Sequence, residues 1–186
     1  MGCREFFEAH AEDLQRCKTL QQQSLETQLE WEAETASSHS PGPIKNDETL
    51  IRYWLNPVHY DRQTGTLKAT AFDDASNKGL SVNRLNHVSL EDIRDTAQVR
   101  VEAWIQANPD KIPRELIGYS DFSAGEARSV QVVEPPPSRR AFAVYDTANL
   151  QDKSHADVCQ IVSTTQGGRS ARSQMRQLTN ERLKRF

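Results

Sequence analysis

Apolar and polar residues alternate from Leu80 to Leu85, with Leu80, Val82 and Arg84 on one side and Ser81, Asn83 and Leu85 on the other. A period of two predicts a strand. Leu67, Ala69 and Ala71 share a face in the same way, which predicts a second strand over Thr66–Phe72. The two runs with the polar loop between them form the stretch Gly65–Leu85, around which the rest of the chain is laid out. Further strands are expected at Leu50–Leu55, stopped by Asn56-Pro57, and at Leu116–Phe122. Three more are expected at Val130–Val133, closed by Pro135-Pro136-Pro137, at Ala141–Tyr145 and at Ala156–Val162.

The period changes to that of a helix where Leu90, Ile93, Ala97, Val101, Trp104 and Ile105 follow Ser89. Ser89 is placed to cap that helix, Glu91 and Asp92 suit its first turn, and Asn108-Pro109 stops it. Ser123-Ala124-Gly125-Glu126 has the spacing of a capping box and predicts a short helix. Residues 4–35 lack proline and are rich in Glu, Gln, Leu and Ala, which predicts one long helix striped by Phe7, His10, Leu14 and Cys17. The Ser, Pro and Gly of Thr35–Pro43 read as a linker. The expected layout is an N-terminal acidic helix (1–35), a linker (36–46), a core domain (47–163) and a basic helical tail (164–186). Strands and helices do not alternate regularly. The fold class is therefore α+β: a mostly antiparallel sheet covered by the Ser89 helix, with the long N-terminal helix and the tail as appendages.

Only 36% of the 186 residues are hydrophobic, which fits a chain with parts outside the core. The net charge of −3 conceals an asymmetry. Residues 1–35 carry eight acids against three bases, and residues 164–186 carry six bases against one acid. Arms of opposite sign either pair or serve different partners. No apolar run approaches the roughly 18 residues a membrane span needs. The N-terminus lacks an apolar signal region, and Phe6 stands where a myristoylation signal wants Ser or Thr. Three widely spaced cysteines, Cys3, Cys17 and Cys159, argue against a disulfide framework and fit a cytoplasmic setting.

Arg52, Ala71-Phe72, Leu80-Ser81-Val82 and His155-Ala156 give residues 49–162 a shared look. On them the chain resembles a family of small bacterial proteins with no assigned activity. The resemblance implies a bacterial, cytosolic protein, with a defence or toxin–antitoxin setting, and brings no catalytic residues with it.

Four constellations bear on chemistry. His59-Tyr60-Asp61 and His155-Ala156-Asp157 repeat a spacing that puts imidazole and carboxylate on one side of a strand, as a metal or an acid–base pair would need. His87-Val88-Ser89 has the His-x-Ser form of enzymes that open cyclic phosphates, but it has no second copy and Ser89 already caps a helix. Arg52, Ser81 and His155 could frame a nucleotide pocket, somewhat as in ADP-ribosyl transferases, with the arginine on a phosphate. Arg169, Arg172 and Arg176 fall on one face of the tail helix, and Arg182, Lys184 and Arg185 extend the patch, which suits nucleic-acid phosphates. Trp31, on a polar stretch, suits a partner surface.

The function expected from these features is that of a non-enzymatic accessory protein of a bacterial multi-protein complex. It would bind a protein partner or a second copy through the N-terminal helix and the tail, with no cofactor or metal and no membrane. A small enzyme acting on a nucleotide or nucleic acid, through Arg52, His59, Ser81 and His155, is one alternative. Nucleic-acid binding through the basic tail is the other. Convergence separates the first alternative from the rest, because an enzyme needs its side chains in one pocket.

Overall fold

The alternating run at Leu80–Leu85 folds as a strand in the middle of a six-stranded sheet. The computed structural model describes residues 2–133 and 138–186. In chain order come three helices, α1 (Cys3–Ala9), α2 (Arg16–Leu20) and α3 (Leu25–Glu32), then β1 (Thr49–Asn56), β2 (Tyr60–Asp61) and β3 (Thr66–Leu67). A 3-10 helix (Ala69–Ser76), β4 (Leu80–Arg84), α4 (Leu90–Ala107), β5 (Glu115–Ser123) and α5 (Ala124–Ser129) follow. The chain closes with β6 (Gln131–Val133), β7 (Ser138–Arg140), β8 (Phe142–Tyr145), β9 (His155–Gln160), α6 (Thr165–Glu181) and β10 (Leu183–Lys184). The main sheet has the order β10-β5-β1-β4-β9-β8, every neighbouring pair antiparallel. The α+β class with a mostly antiparallel sheet is therefore present. The proline run expected to close β6 lies outside the described residues.

Helix starts predicted from caps are where the caps put them. Ser89 Oγ accepts from Asp92 N at the start of α4. Ser123 Oγ accepts from Glu126 N while Ser123 N donates to the Glu126 carboxylate, a complete capping box on α5.

Two expectations are corrected. Residues 4–35 do not form one long helix but three short ones. Asp13 Oδ1 accepts from Gln15 N and turns the chain between α1 and α2, while Ser24 Oγ accepts from Thr27 N and starts α3 afresh. Such side chains compete with the helical backbone for its own donors. The turns let Cys3, Phe6, Phe7, Cys17, Leu20 and Trp31 all pack onto Ala143, Tyr145, Cys159 and Ile161 of the sheet. A straight helix of that length would run about 48 Å and present a single stripe. Likewise Thr66–Phe72 is not a strand. Only Thr66–Leu67 pairs, with β2, and the 3-10 helix after it buries Ala71, Phe72 and Ala75 in the larger core.

The stretch 36–46 runs against the body of the protein, with Ala36 and Ile44 buried. It is tied down by Arg84, which donates to both oxygens of Glu48 (2.8 and 2.9 Å) and to Gly42 O, and lies 3.2 Å from Asp146 Oδ2. Ser40 Oγ donates to that same Asp146 oxygen. Gly79, just before β4, has φ +105°, and a Cβ there would come 2.8 Å from the Asp157 side chain. Both the backbone angle and the close approach require glycine.

The sheet is covered on both faces. Leu50, Trp54, Leu80, Val82, Ala156 and Val158 point to one, where the 3-10 helix and α6 supply Phe72, Ala171 and Met175. The other face carries α1–α3 over β8 and β9, and α4 over β5.

Candidate functional site

Register decides which polar residues meet. Ser81 pairs with Asp157 and Asn83 with His155 across β4 and β9, so all four side chains stand on the face that carries α1–α3 and α4. A cleft of about 680 Å³ lies beside α1 and α2, with Ser81, His155 and Asp157 on its floor, Arg16 and Lys78 among its lining, and the 36–39 and 147–151 segments along its walls.

A chain of hydrogen bonds orders this floor. Thr147 Oγ1 donates its one proton to Asp157 Oδ2 at 2.8 Å. His155 Nδ1 lies 3.0 Å from Thr147 Oγ1 and 3.2 Å from Thr147 O. Both of those oxygens are left to accept, so the network assigns the imidazole proton to Nδ1. In the neutral imidazole Nε2 is then the acceptor, 3.1 Å from Ser81 Oγ, and the serine hydroxyl donates to it. Asp157 Oδ2 also takes a 2.7 Å ion pair from Arg16 Nη2, which donates in turn to Lys78 O. Arg16 lies over the Phe7 ring, 5.1 Å from its centre. The result is a serine–histidine pair with an aspartate behind it, the contact between His155 Nδ1 and that aspartate running through a threonine.

Arg52 stands apart. It follows Leu50 onto the opposite face of β1 and reaches Ser81 only through the backbone, Nη1 donating to Ser81 O at 2.8 Å. Its guanidinium lies over Trp54, 5.5 Å from the ring centre, and burial pushes its pKa below the ordinary arginine value. Arg52 thus holds the strand that carries Ser81 and offers nothing to the cleft. His59 belongs with Arg52 on that side. Its Nδ1 accepts from Leu55 N, its ring meets the edge of Trp54, and burial, helped by Arg52 and Arg114, brings its pKa down to about 3. Asp61 caps its own turn by accepting from Gln63 N. The two His-x-Asp pairs therefore do not face each other, and no group of three or more His, Cys, Asp or Glu side chains among the described residues is placed to hold a metal ion. His87 is exposed, and Ser89 is engaged as the α4 cap.

Trp31 is 6% exposed and packs at 5.1 Å on Phe6. In the tail, Arg172 bonds Gln160 Oε1, Arg176 bonds Leu67 O, Arg182 pairs with both oxygens of Glu126, and Lys184 pairs with Asp121. Arg169 and Arg185 are exposed. Burial pushes the Cys3 thiol up to about 12, and a thiol contact with Cys17 together with burial raises Cys159 well above the usual cysteine range, which disfavours the thiolate at both.

Reading the chain by motif picks out Ser81 and His155 but misses Thr147, Arg16 and the part played by Asp157 beside Ser81. Thr147 sits in a loop with no periodic signal. Arg16 reads locally as one base in an acidic helix. The two-residue spacing did single out Asp157, as a partner of His155, but not its place beside Ser81. No family model, no curated protein and no solved structure matches this chain.

Proposed function

We propose that this protein is an enzyme that attacks an ester of a small anionic substrate, with a nucleotide as the substrate class, through Ser81 as nucleophile and His155 as general base. The observation that carries this reading is the 3.1 Å contact of Ser81 Oγ with His155 Nε2, on an imidazole whose other nitrogen is held by Thr147. A serine hydroxyl is a weak nucleophile until a neighbouring base takes its proton. As Oγ bonds to the ester centre, Nε2 takes the Oγ proton, and the imidazolium so formed lies 3.9 Å from Asp157 Oδ1. The bond to the leaving group then breaks and the leaving group receives that proton. Water, deprotonated by the same nitrogen, then attacks the Ser81 ester; the bond to Oγ breaks, Oγ takes the proton back from Nε2, and the free acid leaves. Of the two bases that line the cleft, Arg16 is paired with Asp157, which leaves Lys78 as the positive group for the substrate anion. Glu12 and Asp13 on the helix side of the cleft disfavour a long polyanion and favour a small substrate over a nucleic-acid strand.

A fluorophosphonate, which phosphonylates activated serines, tests this directly. Intact-mass and peptide mapping are expected to place one adduct on Ser81. Ser81→Ala abolishes it, and His155→Gln slows it by about 10²–10⁴-fold, the usual worth of a general base. An unlabelled wild-type protein, or equal labelling of Ser81→Ala, would overturn the assignment.

A non-enzymatic accessory role is the second reading. It is favoured by Leu14 and Leu150, 68% and 69% exposed on the segments that flank the cleft, a pair suited to an apolar partner surface. That reading expects Ser81 to stay unlabelled.

A further inference from the structure

Across the sheet from the cleft, α6 and the 3-10 helix form the walls of a smaller, half-open cavity of about 210 Å³. Three guanidinium groups line it, from Arg169, Arg172 and Arg176, together with the hydroxyls of Ser173 and Thr70 and the carboxylate of Asp73. Spacings of three and four put the arginines on one side of α6.

Two of the three are held in place. Arg172 Nη1 donates to Gln160 Oε1 at 2.7 Å, and its Nε lies 3.5 Å from Asp73 Oδ1. Arg176 Nε donates to Leu67 O at 2.6 Å and its Nη2 to Thr66 Oγ1 at 3.4 Å. A guanidinium has five N–H donors, so both keep donors beyond these bonds. Arg169 is exposed at the rim. Three positive charges against one carboxylate leave a surplus of two, the charge of a phosphate monoester dianion. Guanidinium forks match phosphate oxygens in pairs, which fixed ammonium groups do not. Size points the same way, since sites for drug-sized molecules span about 300–1,000 Å³ and this cavity is smaller.

We propose that this cavity binds a phosphate group, free or carried as a small phosphomonoester. The site is separate from the Ser81 cleft, because α6 and the 3-10 helix pack on the opposite face of the sheet. It does not depend on the protein being an esterase. It also differs from an extended nucleic-acid surface: the three arginines line one pocket, which takes a phosphate with room for the small group it esterifies.

Thermal unfolding of the full chain, followed in inorganic phosphate, glycerol phosphate, glycerol, and sodium chloride at matched ionic strength, tests the proposal. A ligand that binds only the folded state raises the melting temperature progressively as its concentration exceeds its dissociation constant. The melting temperature is expected to rise with inorganic phosphate and glycerol phosphate and to stay unchanged with glycerol and chloride. Tighter binding of glycerol phosphate identifies a phosphomonoester as the ligand, and equal binding identifies free phosphate. Ser173→Asp adds a carboxylate to the cavity, and Arg169→Gln removes a charge. Both positions are exposed on α6, so both variants should fold as the wild type does in chloride. Each is expected to weaken phosphate binding at least tenfold. A wild-type protein stabilised no more by phosphate than by chloride would overturn the site, as would phosphate stabilisation that neither substitution changes.

Discussion

Replacing Arg84 by methionine is expected to cost about 3–5 kcal/mol of folding stability at neutral pH, the usual penalty for stranding a buried charge. Arg84 is 2% exposed, and its guanidinium is the shared partner of Glu48 and Asp146. Methionine fills much of the space but leaves two buried carboxylates without their shared partner. The effect should depend on pH in a definite direction. Burial already pushes Asp146 up to about 6 while Arg84 works to lower it, and the hydrogen bonds from Arg84 help hold Glu48 below the ordinary range. Without the arginine both pKa values rise in the folded state. A carboxylate with a raised folded pKa favours folding at low pH and loses that advantage as pH climbs through the folded value. The deficit of Arg84→Met relative to wild type should therefore shrink near pH 4 and be fully open above pH 7. Urea unfolding of both proteins at the two pH values measures it. An equal deficit at both would mean that lost packing, and not charge, carries the effect.

Trp31→Ala is expected to destabilise by about 3–5 kcal/mol, as truncating a buried aromatic residue does. For a chain of this size that corresponds to a fall of roughly 6–20 °C in melting temperature. The indole closes the cluster between α3, α1 and the sheet, so its loss leaves a cavity against Phe6. A partner-facing tryptophan would behave differently: the isolated protein would melt as before, and only association would weaken. Differential scanning calorimetry of the purified variant separates the two. Loosening this cluster should also loosen the cleft, because Arg16, which anchors Asp157, belongs to the same N-terminal segment.

About half of the candidate site could be read from the chain, and the division has a cause. Ser81 and His155 stand out because each is a reactive side chain inside an apolar, strand-like run. Nothing local indicates that they touch: they are 74 positions apart and meet only because β4 and β9 pair in one particular register. That same pleat sends Arg52 to the opposite face, which separates the three residues expected to form a nucleotide pocket. Thr147 and Arg16 enter the site from a loop and from a helix, where sequence period carries no information about what lies across the cleft.

The sequence by itself determined the features governed by neighbours a few residues away. Ser89 and Ser123 start α4 and α5 because their hydroxyls satisfy helix amides three positions on, and alternation commits Leu80–Arg84 to a strand with one apolar face. Only the tertiary structure decided the fate of the two charged ends. The acidic arm breaks into three helices because its aromatic residues have a sheet face to cover, and most of the basic tail is bonded inward because its partners, Gln160, Leu67, Glu126 and Asp121, arrive from distant parts of the chain. Burial and long-range pairing outweigh local propensity wherever a segment of marginal helix or strand preference meets an apolar surface.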